Sequence, residues 1–140
     1  MHLCQEVTEK NVLDNRMNDS MKLFFLSILL ILVDIPWLYI QGPNVQDIIL
    51  NIQADRSMNP RLWAGIPVYL ALGYLLTQIT SAPRAFLAGI ATYAVYDFTQ
   101  VVTFDKYPVW FAIVDSTWGG ILMALVWWIG SHLNLVTPNV

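Results

Sequence analysis

Of 140 residues, 56% are hydrophobic and only 12% charged, where a soluble domain carries roughly a quarter charged residues. A net charge of −3 with no basic run excludes nucleic acid as a partner, because phosphate contacts need clustered Lys and Arg. The one cysteine, Cys4, excludes an internal disulfide and a thiolate metal cluster. What remains is a chain whose first partner is the lipid bilayer, since its apolar residues fall in long blocks parted by short polar clusters.

Residues 1–22 are polar and aperiodic, with Lys10, Arg16 and Lys22 among Asn, Asp and Glu, and read as a mobile tail. Met17 and Met21 offer later starts. The first span is 23–40, LFFLSILLILVDIPWLYI, which at about 1.5 Å per residue nearly crosses a hydrocarbon core of about 30 Å. A cleaved signal peptide fits it poorly, because Asp34 and Pro36 interrupt the apolar run and no small-x-small site follows. In the connection 41–61, Val45, Ile48, Ile49 and Ile52 recur at helical spacing behind Asn44 as N-cap. That pattern predicts a short interfacial amphipathic helix in the headgroup plane, or equally a segment packed over the bundle mouth.

The second span is 62–80, between Arg61 and Arg84. The third is 85–103, and the fourth is 109–129 after Asp105-Lys106-Tyr107-Pro108, with 132–140 as a C-terminal tail. Two short turns make spans two, three and four antiparallel neighbours in sequence order. The expected fold is all-α, an integral membrane bundle of four transmembrane helices over 23–131. Both termini then share one side with Lys10, Arg16, Lys22 and Arg84, against Arg56, Arg61 and Lys106 on the other. Four against three favours a cytoplasmic N-terminus by a narrow margin.

Lipid supplies no hydrophobic drive between helices, so small residues must let them approach. The fourth span carries Ala112, Ser116, Gly120 and Ala124 at four-residue spacing. The third carries Ser81, Ala85 and Gly89, continued by Tyr93 and Asp97, and these two stripes are expected to meet. The stripe of the fourth span would equally serve a homo-oligomer. Pro36 and Pro67 each remove a backbone hydrogen bond and are expected to kink their helices.

The acids inside the spans are Asp34, Asp97 and Asp115, and no Lys, Arg or His lies inside a span to neutralise them. An aspartate at a helix centre costs about 2.5–3.5 kcal/mol to insert, which makes each a functional candidate. Asp34 lies six residues before Ile40, Asp97 six before Thr103, and Asp115 six after Val109. Those three ends belong to one membrane face, so the carboxyls share a depth of about 9 Å. Tyr69 falls at that depth on the second span. Val33-Asp34-Ile35-Pro36-Trp37 and Val114-Asp115-Ser116-Thr117-Trp118 both read V-D-x-x-W. An i, i+3 pair shares a helix face, so each indole is expected to cover or donate to the aspartate of its own helix. Tyr93, Tyr96, Thr99 and Gln100 surround Asp97 along the chain, with Tyr93 and Gln100 on its face. Acids without a base either stay protonated and glue helices, or, where water reaches them, bind protons or a hard divalent cation such as Mg²⁺ or Ca²⁺.

The segments Leu32-Val33-Asp34-Ile35-Pro36-Trp37-Leu38, Tyr96-Asp97-Phe98-Thr99-Gln100 and Val114-Asp115-Ser116-Thr117-Trp118-Gly119 resemble three ordered signatures of an uncharacterised family of small membrane proteins, catalogued as domain of unknown function 2177. Its pattern is L-D-x-x-W-L, Y-D-L-T-N and V-D-x-x-W-G along four spans. The likeness covers about residues 21–131, departing at Phe98 and Gln100. It implies the four-span fold, singles out the same three aspartates, and supplies no activity.

Three functions are then expected in this order. The first is a small proton- or cation-handling carrier or channel component. The second is a membrane-embedded enzyme on a lipid or other apolar substrate, for which no metal, nucleophile or phosphate-loop motif is present. The third is a non-catalytic membrane scaffold.

Overall fold

The computed structural model describes residues 2–138, with side chains from residue 18 onward. Among the described residues all regular structure is helical. Helix α1 runs His2–Ile52, and a 3₁₀ turn at Leu62–Ala64 leads into α2, Gly65–Thr77. Helix α3 is Ala82–Thr103 and α4 is Val109–His132. Asn18–Ile52, α3 and α4 are long and apolar enough to cross a membrane, while Leu62–Thr77 is a shorter apolar helix. Large apolar side chains cover the outside, among them Tyr39, Leu62 and Val102 at 86%, 84% and 88% exposure. That surface suits a bilayer, since water-soluble monomers rarely expose wide apolar patches.

Of residues 1–22, read from the sequence as an aperiodic tail, 2–22 are helical backbone within α1. The side chains of Cys4, Lys10, Arg16 and Met17 lie outside the described residues. Nor do residues 44–52 form a helix of their own. Helix α1 continues through Pro36 and Pro43 to Ile52, because a proline costs one backbone bond without ending a helix that its neighbours support. The two faces of this stretch still segregate: Ile48 is buried, while Asn44, Gln46, Asp47 and Asn51 are exposed. Ala54 and Asp55, both at positive φ, end it. Pro67 stands in the first turn of α2, where its missing N–H has no intrahelical partner to lose, so it bends nothing.

The closest packing joins α3 to α4. A β-carbon at Gly89 would collide with the Gly119 carbonyl and lie 2.9 Å from Gly120 Cα. The glycines therefore bring two backbones into direct contact, along the stripes expected from the sequence. Helix α2 packs on α1, where a β-carbon at Gly73 would stand 2.6 Å from Ser27 Oγ. Helix α1 also packs on α4 and so joins the two pairs. The expected run of neighbours two-three-four is corrected here: α2 and α3 follow each other through residues 78–81 but touch little, because α2 spends its face on α1. Leu26, Leu30, Leu72, Leu76, Leu122, Met123 and Val126 fill the space between, and Trp127 Nε1 donates to the Ile79 carbonyl at 2.8 Å, tying the 78–81 turn to α4.

A candidate functional site of three aspartates

Asp34 and Asp97 are buried at 4% and 0% exposure, and Asp115 is half-buried. Burying a carboxyl in an apolar bundle requires donors. Asp34 on α1 accepts from Tyr69 of α2 through Oδ2 and from Trp118 of α4 through Oδ1, both at 2.7 Å. Asp115 on α4 accepts from Trp37 of α1 at 2.8 Å. The indole donors are therefore exchanged between helices, where the sequence pointed each to the aspartate of its own helix. The reason is geometric. A V-D-x-x-W face on α1 lies against a V-D-x-x-W face on α4 running the other way, so each aspartate comes opposite the other helix's tryptophan. The two indoles stack between them at 4.8 Å and 10°, within the spacing aromatic pairs favour.

This exchange also fixes a register. Asp34 level with Trp118 and Trp37 level with Asp115 place the start of α4 beside Pro43. The remaining residues of α1, 44–52, project about 14 Å past that point.

Asp97 on α3 accepts from Tyr107 at 2.7 Å. The Asp115 carboxyl lies within electrostatic reach of Asp97. Asp97 Oδ2 is buried with no hydrogen-bond donor. Tyr107 was not singled out from the sequence. It lies in the 104–108 connection, and only the tightness of that turn, which folds it back over Asp97, could have pointed to it. Burial, and after it the bond to Asp97, push the Tyr107 phenol up from its ordinary range, so it stays a donor.

The layer thus links α2, α1, α4, α3 and the 104–108 connection through Tyr69, Asp34, the indole pair, Asp115, Asp97 and Tyr107. Tyr93 lies on Gly119, where a β-carbon would strike its ring, within electrostatic reach of all three aspartates. Tyr96 is 63% exposed and faces outward. The Thr99 hydroxyl turns back to the Val95 carbonyl and is exposed, and Gln100 is half-buried and bonds none of the aspartates.

A divalent cation does not fit these residues. Among those described, no three His, Cys, Asp or Glu side chains gather to hold a metal ion, and both Asp34 oxygens are engaged by N–H or O–H donors. Two cavities lie elsewhere. One of 320 Å³ sits at the opposite end of the bundle, and a groove of 230 Å³ runs along Trp37, Ile113, Val114, Thr117, Trp118 and Ile121. None of the three aspartates lines either cavity.

No protein-family model matches the chain, and neither does any curated protein or solved structure.

Proposed function

We propose that this chain is a small multi-pass membrane protein that holds and passes a proton at the Asp97–Asp115 pair. The observation that carries the proposal is Asp97 Oδ2, buried and without a donor, with the Asp115 carboxyl within electrostatic reach. Two carboxylates close together inside an apolar bundle repel strongly, and the basic residues that fall within Asn18–Ile52, α3 and α4, which are Lys22, Arg84 and His132, stand at the opposite end of the bundle. One proton between them gives the orphaned oxygen its partner and removes one charge. Between two acids of the same kind, that proton moves from one oxygen to the other at little cost. Tyr107 adjoins the exposed residues 104–106 and hydrogen-bonds Asp97, so it stands between the buried acid and water on that face. Four helices are few for a conduit, so the working unit in this proposal is a homo-oligomer, with the termini on one side and facing the cytoplasm.

A second reading takes the same layer as a structural fastening. Its support is that the hydrogen bonds to Asp34 and Asp115 join different helices. Infrared difference spectroscopy on nanodiscs, paired with proton flux into dye-loaded vesicles, separates the two. Proton handling requires a protonated carboxyl band near neutral pH that Asp97→Asn removes, together with flux that the same variant abolishes. A band that never changes across the pH range, with flux equal to that of empty vesicles, leaves the fastening alone.

A further inference from the structure

The 320 Å³ cavity lies at the end of the bundle away from the aspartate layer, between α1, the end of α2 and the 133–137 segment. Its depth follows from its walls. Lys22 precedes the apolar run that begins at Leu23, and Thr77 ends α2, so the cavity opens where lipid headgroups lie. Asp19 and Lys22 stand at its mouth 3.9 Å apart, 69% and 34% exposed. That separation is the outer limit of an ion pair, so the ammonium keeps donors to spare and the carboxylate keeps lone pairs. Tyr74, Thr77 and Gln78 add polar groups on one wall, and Leu23 and the buried Val136 supply an apolar floor.

We infer that this cavity is a headgroup site for a zwitterionic phospholipid, the phosphate on Lys22 and the ammonium on Asp19, with the glycerol end against Leu23 and Val136. One cation and one anion side by side match a headgroup carrying both signs. An anionic lipid would set its uncompensated charge against Asp19, which is how a site rejects the wrong ligand. The volume is at the lower end of small-ligand pockets, as a headgroup with its chains left in the bilayer requires. The inference stands apart from the proton proposal, since none of its residues belongs to the aspartate layer.

The test is native mass spectrometry of the delipidated full chain with phosphatidylethanolamine or phosphatidylglycerol of identical acyl chains. The wild type should retain phosphatidylethanolamine preferentially, and soluble glycerophosphoethanolamine should displace it. Lys22→Gln should weaken retention by up to about fivefold, the upper value of one exposed ion pair, and Asp19→Asn should shift preference towards phosphatidylglycerol. Both residues are exposed enough for the variants to fold. Equal retention of the two lipids, no displacement by the soluble headgroup, or indifference to both variants overturns the site.

Discussion

Replacing Gly89 with alanine tests the packing that brings Asp97 to Asp115. The added β-carbon meets backbone on the facing helix: the Gly119 carbonyl, and Gly120 Cα at 2.9 Å. Backbone cannot rotate aside as a side chain can. Ordinary contact begins near 3.4 Å, so α3 and α4 must part by about 0.5–1 Å, a gap that forfeits a quarter to a half of each dispersion contact across it. Over about 40 atom pairs at 0.1–0.2 kcal/mol each, the loss is on the order of 1–4 kcal/mol. Alanine returns at most about 1 kcal/mol through its better helix propensity. The net expectation is a destabilisation of about 1–3 kcal/mol, in the range of overpacked cores. Gly42→Ala supplies the control, because nothing lies within 4 Å of its β-carbon, and it should be neutral or slightly stabilising. Reversible unfolding in mixed detergent micelles, followed by circular dichroism, measures both. Equal midpoints for the two variants would refute the direct backbone contact.

Other consequences can be checked with the same titration. Trp37→Phe and Trp118→Phe each take one donor from a carboxyl and should cost about 1–2 kcal/mol. Because the indoles stack, the double variant should depart from additivity by about 0.5–1.5 kcal/mol; additivity within about 0.3 kcal/mol would sink the reciprocal arrangement. Ala54 holds φ at 52°, a conformation glycine adopts freely, so Ala54→Gly should stabilise by roughly 0.5–1 kcal/mol, and a loss would contradict the left-handed turn. Tyr107 is pushed up by burial and by its bond to Asp97, so the bonded phenol persists through pH 10, where free tyrosine ionises. Its contribution is present below that pH and is lost only as pH rises through the higher folded value. Tyrosinate absorbance at pH 10 should therefore be the same in wild type and Tyr107→Phe, and a lower signal in the variant would count against it.

Much of this fold could be read along the chain because a bilayer leaves few options. Apolar runs located the helices, and the small residues of α3 and α4 located their contact. Counting residues from helix ends brought Tyr69 to Asp34. The misreadings share a cause, which is that a sequence shows what a helix presents and not what faces it. Trp37 and Asp34 lie on one face, yet only the antiparallel copy of that face on α4 decides which acid each indole serves. The sequence ends the first span at Ile40 and begins a separate helix behind Asn44, yet α1 runs on without interruption to Ile52. The nearness of spans two and three in sequence concealed that α2 has its partner in α1. Tyr107 escaped notice because a turn residue carries no periodicity.

The exchanged indoles have a consequence for how the chain is made. Asp34 enters the membrane 35 residues ahead of Tyr69 and 84 ahead of Trp118. At about 5–20 residues per second, the second donor arrives roughly 4–17 s after the acid it serves. The α1–α2 hairpin can shelter one oxygen early, while the other waits for the last helix. A chain cut short before Trp118 therefore leaves a half-satisfied carboxyl in lipid, a built-in mark of unfinished synthesis that the completed bundle erases.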